Sequence, residues 1–260
     1  MPRVFAPRDA ARYIFNAHAA RAEYANLPPE LAPVTIEEAY AAQEELAKLL
    51  IPNEGAVAGL KIAVATKVMQ ELMGIDRPCG GMIFARRIHA SPAVVRLRDH
   101  MNVVIEFELA VRLGRDLPLT LTPWTADLVR PAIDAVMPAF ELVEDRHAVY
   151  KSTQALSMIV DNCWNAGIVL GAPVAYSPEK PLAGIQGWLE INGGETRRGT
   201  TDDPLATLAW VANLAAGRGR PLRAGMVVIT GSIIQTLPIA AGDRFVFRLD
   251  GLGSAEITAA

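Results

Sequence analysis

The sequence contains few of the residues that build disulfide frameworks and zinc sites. It has two cysteines, Cys79 and Cys163, and four histidines, with no Cys/His or His-x-x-x-His spacing. This scarcity disfavours both kinds of site and indicates a reducing compartment, so we expect a cytoplasmic protein. No uninterrupted apolar run is long enough to cross a bilayer, and the N-terminal residues lack the apolar core of a signal peptide, so no membrane association is expected.

Clustered positive charge is also missing. The 25 basic residues are spread along the chain, and the formal net charge is −3. A nucleic-acid partner is therefore not expected. The 260 residues are 51% hydrophobic, which is enough to bury a large core in one domain, or in one domain with a small appendage.

Three glutamates in apolar surroundings are the most informative residues that are present. Between residues 103 and 111, apolar side chains occupy every second position, and Glu106 and Glu108 alternate with them. Because successive side chains of a strand point to opposite faces, both acids lie on one face, roughly 6–7 Å apart along the strand. Glu141 lies within another predicted strand, residues 139–143.

These acids allow two interpretations. Two like charges this close repel each other unless a cation lies between them, and a hard divalent ion such as Mg²⁺ or Mn²⁺ is the simplest candidate. Alternatively, the glutamates belong to the solvated faces of exposed antiparallel strands, where such alternation is common. The pattern by itself leaves both interpretations open.

Lys61 is one of only five lysines, and it lies between Leu60 and Ile62 in a short predicted strand. An ammonium group in this position could hold an anionic substrate or, with a lowered pKa, transfer a proton. It could equally extend from a strand edge with its charge in water.

Two polar dipeptides end predicted strands. Asp161-Asn162 follows an apolar run that begins at residue 157, and Asp161 could orient the metal site, contact a substrate or form a turn. Gly231-Ser232 follows the run 226–230. It could present backbone amides and a hydroxyl group to an anion, or form an ordinary turn.

Three further residues have simpler interpretations. Cys79 lies in a predicted loop with no histidine nearby in sequence, so we interpret it as a loop cysteine and not as a nucleophile. Arg146 and His147 follow two acids and are interpreted as surface charges.

Helix signals predominate in the first part of the chain and strand signals after it. The capping box Thr35-Ile-Glu-Glu38 begins the second of the predicted helices, which cover about 9–24, 35–50, 65–73, part of 125–135, and 203–216. A hairpin with the loop Gly193-Gly194 is predicted over 188–198. The other predicted strands cover 60–64, 94–97, 103–113, 139–143, 157–161, 226–230, 244–249 and 255–258. This order indicates an α+β fold, with a helical N-terminal region over 1–78 and a β-rich region with a large mixed sheet over 79–260.

The chain resembles the 2-keto-4-pentenoate hydratase and 4-oxalocrotonate decarboxylase branch of the fumarylacetoacetate hydrolase superfamily. The similarity extends over nearly the whole chain. The matching segments, in order, are Thr35-Ile-Glu-Glu-Ala-Tyr-Ala-Ala-Gln43, Gly59-Leu-Lys-Ile62 with Thr66-Lys67, Ile105-Glu-Phe-Glu-Leu109, Pro138-Ala-Phe-Glu-Leu-Val143 with Asp145-Arg146, Val160-Asp-Asn162, Leu208-Ala-Trp-Val-Ala-Asn213, Ala224-Gly-Met-Val-Val228 and Gly231-Ser232.

The resemblance implies a particular site. It makes Glu106, Glu108 and Glu141 the ligands of Mg²⁺ or Mn²⁺, Lys61 the active-site lysine, and Gly231-Ser232 a turn that lines the substrate site. It also implies a β-rich roll for the catalytic domain, preceded by the helical region, in a homo-oligomer.

The implied activity is that of a metal-dependent hydratase of aromatic catabolism, a hydro-lyase that acts on a small 2-hydroxy-2,4-dienoate or 2-oxo-4-enoate. A decarboxylase of the 4-oxalocrotonate type is the first alternative, because loss of carbon dioxide passes through the same enolate. A hydrolase that cleaves a carbon–carbon bond in acylpyruvates is another. The last is a non-catalytic oligomeric partner that has kept the fold without the chemistry.

Two segments depart from the family pattern. Hydratases of this branch commonly carry an aspartate in a Pro-Asp-Phe-Gly-like loop, and here the matching stretch is Pro78-Cys-Gly-Gly81, with Cys79 in place of the acid. A Gly-His-Pro segment is also common before the late helix, and here it is Asp202-Asp-Pro204. The absence of the acid leaves decarboxylation, or a different substrate, more open.

Overall fold

The structure is a computed structural model that describes residues 5–260 of the chain. Its α-helices are α1 (Pro7–Ala19), α2 (Ile36–Glu54), α3 (Lys67–Met73), α4 (Ala126–Val129), α5 (Ala155–Val160) and α6 (Pro204–Gly217). Within the described range, none of these helices is long and apolar enough to cross a membrane.

The helix ends follow the capping signals of the sequence. The Thr35 side chain accepts a hydrogen bond from the Glu38 amide at 3.2 Å, and the Glu38 carboxylate accepts one from the Val34 amide at 2.8 Å. Gly74, with φ at +66°, ends α3 in the left-handed conformation that glycine adopts without strain. The second helix runs past its predicted end at residue 50 because Pro52 is accommodated inside its last turn.

Thirteen strands of residues 5–260 form two sheets. In chain order they are β1 (Val57–Ala63), β2 (Cys79–Phe84), β3 (Ile88–Ala90), β4 (Ala93–Val95), β5 (Val103–Leu113), β6 (Ile133–Glu144), β7 (Asn165–Leu170), β8 (Val174–Ala175), β9 (Gln186–Ile191), β10 (Glu195–Thr200), β11 (Val227–Pro238), β12 (Arg244–Leu249) and β13 (Gly253–Ala259). The larger sheet has the order β2-β1-β11-β5-β6-β7-β3, with β8 paired to β6, and the smaller has the order β10-β9-β12-β13-β4.

One face of the larger sheet packs against the smaller one. The apolar set of β5 lies on this face, where Phe107, Phe140 of β6 and Phe247 of β12 are fully buried. Their ring centroids are 5.6–6.1 Å apart, the separation of favourable edge-to-face and tilted contacts. Removing one such ring from a packed core costs about 3–5 kcal/mol. The cluster therefore fixes which face of β5 packs against the smaller sheet and which face points the other way.

The other face of the larger sheet carries a smaller apolar core and the acids. Buried residues from β2, β5, β6, β7 and β11 form this core; among them are Ile83, Ala110, Ala139, Ile168 and Ile229. The sheet curls, so that β2 also contacts β7, its distant neighbour in strand order. Because of this curl, the face of the sheet that carries the acids is partly enclosed.

The N-terminal helices pack beside this curled sheet. Apolar residues of α1, α2 and α5 share one core with Cys79 and Trp164. The buried Gln43 amide of α2 donates to the carbonyls of Gly80 and Ile159, at 2.9 and 2.8 Å, and so joins the helix to β2 and α5. Because these contacts are buried, they fix the helical region against the strands.

The α+β prediction is confirmed, as is the fold of helices followed by a β-rich roll. The division at residue 78 stays a prediction. The strand β1, which precedes that boundary, pairs with β11 inside the larger sheet, so the sheet includes residues from both predicted regions.

Several local predictions were wrong. Residues 155–160 form the helix α5 and not a strand, since their apolar run is too short for its periodicity to distinguish the two. Cys79 begins strand β2 and is not in a loop. Arg146 is 2% exposed and not a surface charge. The strand predicted over 139–143 is longer than expected, since β6 begins at Ile133 and runs through Pro138.

The predicted hairpin is confirmed with one change in its loop. Strands β9 and β10 pair with Ile191 opposite Glu195. The turn residues with positive φ are Asn192 and Gly193, and not the two glycines. Asparagine tolerates the left-handed region better than most residues, so Asn-Gly forms the primed turn that matches strand twist.

Candidate metal centre and substrate cleft

The three glutamates converge on the inner face of the curled sheet. Glu106 lies directly opposite Glu141 in the β5–β6 pairing, and Glu108 follows two residues later on the same face. One carboxylate oxygen from each lies within 4.8 Å of the other two. Glu108 and Glu141 are fully buried and Glu106 is partly buried, which excludes the solvated-strand interpretation for the two buried acids.

Each carboxylate is held through one oxygen by a donor from another strand. The Thr236 hydroxyl donates to Glu106 Oε1 at 2.8 Å, and the Gly231 amide donates to Glu108 Oε2 at 2.6 Å. The Asn165 side-chain amide donates to Glu141 Oε1 at 2.9 Å. These bonds fix the orientation of the carboxylates.

The second oxygens of the two buried acids have no hydrogen-bond partner within residues 5–260. They are Glu108 Oε1 and Glu141 Oε2. Burial raises the pKa of Glu108 well above its usual range, and the carboxylates of Glu141 and Glu106 raise it further. Burial also raises the pKa of Glu141, against the effect of Lys61.

Unpartnered buried carboxylate oxygens are costly unless a cation or a proton compensates them. Three carboxylates around one point supply the hard oxygen ligands that Mg²⁺ and Mn²⁺ prefer, and three ligands leave positions for water or a chelating substrate. The residues present therefore fit a divalent cation.

Lys61 lies beside the acids and not at a solvated strand edge. Its Nζ atom is 2.9 Å from Glu141 Oε1, and its side chain is 4% exposed. Burial alone would lower the pKa of Lys61, but Glu141 and Glu106 outweigh that effect and raise it above the usual value. The ammonium form is thus the stable one in this arrangement.

A cleft of about 1300 Å³ opens onto this site. Glu106, Gly231, Ser232 and Thr236 line it, so a molecule in the cleft can contact Glu106, the partly buried member of the three acids. Gly231 has φ at +104° and interrupts the pairing of β11 with β5, which turns its amide toward Glu108. The Ser232 hydroxyl bonds with the backbone of Phe107 and Ile234, so it shapes this bulge.

Asp161 lies elsewhere. Its two carboxylate oxygens contact Arg146 Nη2 at 2.6 Å and His18 Nε2 at 2.5 Å, and its side chain is 1% exposed. Among the described residues that line the cleft, Asp161 is absent. The predicted contact of Asp161 with the substrate or with the metal site therefore has no support in the geometry, and Asp161 instead joins helix α1 to the turn at Arg146.

The two thiols are also placed away from solvent. Cys79 and Cys163 are both free and buried. Burial raises the pKa of each thiol above its usual value, which disfavours the thiolate that a nucleophile requires. Cys79 thus supplies neither a carboxylic acid nor a readily formed thiolate.

Sequence reasoning missed Asn165 and Thr236. The β-branched residues Ile233, Ile234 and Thr236 favour a strand, and they were a signal that β11 continues past Gly231 and includes Thr236. No local pattern identifies Asn165. It follows three consecutive residues with positive φ, Asn162 to Trp164, and this turn aims it at Glu141.

Comparison with known proteins finds relatives that are named as hydratases. 2-Keto-4-pentenoate hydratase 1 of Dechloromonas aromatica (strain RCB) is 30% identical over 253 residues, which cover 95% of this chain and 94% of that protein. The 2-oxo-hept-4-ene-1,7-dioate hydratase of Escherichia coli is 32% identical over 230 residues, 85% of each chain.

The fold is similar to that of 4-oxalocrotonate decarboxylase from Pseudomonas putida G7, a structure complexed with magnesium and adipate. The TM-score is 0.89 and the identity 25%, over 99% of this chain and 100% of that one. The family model "Fumarylacetoacetate (FAA) hydrolase C-terminal" matches residues 68–259, well over half of the sequence. The chain therefore belongs to the fumarylacetoacetate hydrolase family.

Proposed function

We propose that this chain is a divalent-metal-dependent hydratase that acts on a 2-hydroxy-2,4-dienoate or its 2-oxo-enoate tautomer in aromatic catabolism. The observation that carries the proposal is the convergence of Glu106, Glu108 and Glu141, with two unpartnered buried oxygens, at the end of a cleft. The identity to a 2-keto-4-pentenoate hydratase over 95% of the chain supports the substrate class.

In this proposal Glu106, Glu108 and Glu141 hold Mg²⁺ or Mn²⁺ in the orientation set by Thr236, Gly231 and Asn165. The bound ion would supply Lewis-acid polarisation of the substrate carboxylate and its neighbouring oxygen. The Lys61 ammonium, fixed by Glu141, stabilises negative charge on the substrate while the dienol becomes the ketone. In this step the 2-hydroxyl group loses its proton and C5 gains one, which gives the conjugated 2-oxo-3-enoate. One water then adds across the C3–C4 double bond, with its hydroxyl group at C4 and its hydrogen at C3, and the product is the 4-hydroxy-2-oxo acid.

A second candidate is a decarboxylase of the 4-oxalocrotonate type, favoured by the TM-score of 0.89 to that enzyme. There the carbon–carbon bond to the leaving carboxylate breaks, carbon dioxide departs, and the resulting enolate gains a proton. The site described here serves either reaction, because both develop negative charge on the same oxygen. The missing acid at Cys79 is the feature of this chain that favours the second candidate.

One experiment on the purified protein with Mg²⁺ distinguishes the hydratase activity from the decarboxylase activity. A hydratase removes the ultraviolet absorbance of 2-hydroxypenta-2,4-dienoate and forms 4-hydroxy-2-oxopentanoate. A decarboxylase releases carbon dioxide from 4-oxalocrotonate. Dienoate decay that needs the metal supports the proposal, and carbon dioxide release without hydration replaces it with the second candidate. Turnover of neither substrate by metal-loaded protein contradicts both.

The chain is further proposed to be cytoplasmic and to form a homo-oligomer. Both thiols are free, which agrees with a reducing compartment. Leu119, Leu121 and Leu128 are more than half exposed, and apolar side chains of this size are candidates for burial between subunits. Sedimentation velocity on the purified protein tests the oligomer, and a monomer at all concentrations contradicts it.

A further inference from the structure

Glu106 is the member of the three acids that lines the cleft, and the rest of the cleft wall, here called the outer region, is of mixed character. Much of this wall is apolar and includes Ile62, Met69, Leu72, Trp210, Ile233 and Leu237. Besides Glu106, its charged residues are Lys67, Asp202 and Asp203. Among the cleft-lining residues that the structure describes there is no arginine or histidine, and Lys67 is the one basic side chain.

The two aspartates make this outer region unfavourable for a second anion. Both residues are exposed and both line the cleft. They outnumber the single positive charge of Lys67, and the far carboxylate of a diacid therefore meets net negative charge. Because the groups are exposed, the effect of each is modest and depends on ionic strength.

Asp203 also occupies the position where an anion would otherwise be favoured. Helix α6 begins at Pro204, and its free backbone amides and dipole favour negative charge at this end. The Asp203 carboxylate accepts the hydrogen bond of the Ala206 amide at 2.9 Å. The chain's own carboxylate thus caps the helix, and a substrate carboxylate placed there would be repelled by it.

The size of the cleft exceeds the need of a five-carbon acid. Pockets of about 300–1000 Å³ enclose ligands of drug size, and this cleft measures about 1300 Å³. We infer that the substrate is a 2-oxo or 2-hydroxy-dienoic monoacid with an uncharged, apolar tail, and that Asp202 and Asp203 select against a second carboxylate. The inference rests on the proposed function for the inner end of the cleft. The inferred substrate differs from the diacid after which the 2-oxo-hept-4-ene-1,7-dioate hydratase of Escherichia coli is named.

Binding of unreactive acids tests the inference without requiring turnover. Isothermal titration calorimetry on Mg²⁺-loaded protein would compare 2-oxohexanoate with 2-oxoadipate, which has the same chain length and a second carboxylate. We expect 2-oxohexanoate to bind about fivefold more tightly, since two exposed charges acting through water each change affinity by about two- to threefold. It should also bind about tenfold more tightly than pyruvate, which lacks the apolar tail.

The double variant Asp202→Asn with Asp203→Asn tests whether the two aspartates cause the weaker binding of 2-oxoadipate. Asparagine caps a helix as well as aspartate does, so α6 should remain intact, which circular dichroism would check. The fivefold ratio should fall to about twofold or less, because the repelling charges are gone. Asp127→Asn removes an exposed charge on α4 that is not among the described residues of the cleft, and it should leave the ratio unchanged.

The inference is overturned if 2-oxoadipate binds as tightly as 2-oxohexanoate, if the ratio survives in the double variant, or if neither acid binds. Failure of the proposed function gives a different result: the dienoate is not turned over, whatever the ratio of the two binding constants. A high-salt titration adds an independent check, because a ratio caused by exposed charges must shrink as salt rises.

Discussion

Lys61 Nζ lies 2.9 Å from Glu141 Oε1, although their strands, β1 and β6, are separated in the sheet by β11 and β5. Neighbouring strands are about 4.8 Å apart, so three steps across a flat sheet would separate their backbones by about 14 Å. The contact therefore depends on the curl of the sheet, which turns the inner faces of β1 and β6 toward each other. The lysine and the acid are brought together by sheet curvature and not by strand pairing.

Glu106→Gln should weaken Mg²⁺ binding by at least about tenfold, because one anionic ligand becomes neutral. Calorimetric titration of the metal into the purified variant measures this. Glu179→Gln, an exposed acid outside the cluster, is the matched control and should bind the metal like the wild type. Unchanged affinity in Glu106→Gln would remove that residue from the ligand set.

Lys61→Met should lower turnover of the dienoate by about a hundredfold, because the cation that stabilises developing negative charge is lost. Metal binding should persist, since all three carboxylates remain. Steady-state kinetics and metal titration on one preparation separate the two effects. Turnover at the wild-type level would assign Lys61 a purely structural role.

Asn165→Ala should weaken Mg²⁺ binding by about tenfold, the size typical when a group that orients a ligand is removed. The side-chain amide of Asn165 fixes Glu141 Oε1 and leaves Oε2 free to face the other acids. Asn213→Ala is the matched control, because Asn213 bonds to the backbone of Trp124 and does not contact the acids. Equal metal affinity in the two variants would contradict the orienting role.

Asp161→Asn should destabilise the fold by about 3–5 kcal/mol, because it leaves the buried Arg146 guanidinium without its counter-charge. Mg²⁺ affinity and the KM for the dienoate should stay near the wild-type values in protein that remains folded. Urea unfolding measures the first effect and kinetics the second. A raised KM with unchanged stability would restore the predicted contact of Asp161 with substrate.

The ionisation of Glu144, the last residue of β6, makes the stability of the fold depend on pH. Burial acts to raise the pKa of Glu144, but hydrogen bonds from His100 and from the amides of Asn102 and Met101 outweigh it, and the pKa is lowered. A carboxylate with a lowered pKa stabilises the fold above its unfolded-state pKa of about 4.3, and this contribution is lost as pH falls through the folded-state value.

The variant Glu144→Gln should therefore be less stable than the wild type at pH 7, by about 1 kcal/mol. The difference should shrink as the pH falls below about 4.3, where Glu144 becomes protonated in the unfolded wild type, and it should vanish below the lower pKa of the folded state. Urea unfolding at a series of pH values measures it. A difference that is independent of pH would exclude the charge of Glu144 as the cause.

Much of the site was accessible from local pattern. Alternation along 103–111 put Glu106 and Glu108 on one face, and the structure has both on the inner face of β5 with the phenylalanine cluster on the other. The strand predicted over 157–161 from its apolar run was wrong, because a short apolar run fits a helix such as α5 as well as a strand. Cys79 was misplaced for a related reason, since the neighbouring glycines signal a loop but here continue into β2.

Interactions between residues close in the chain fix the α+β order of elements, the helix caps at Thr35 and Asp203, and the shared face of Glu106 and Glu108, so all of these follow from local pattern. Long-range packing places Glu141 opposite Glu106, turns Lys61 and Asn165 toward it, and pairs Asp161 with Arg146. Those positions depend on the register and the curl of strands that are distant in sequence, and a shift of one residue would send every side chain of a strand to the opposite face.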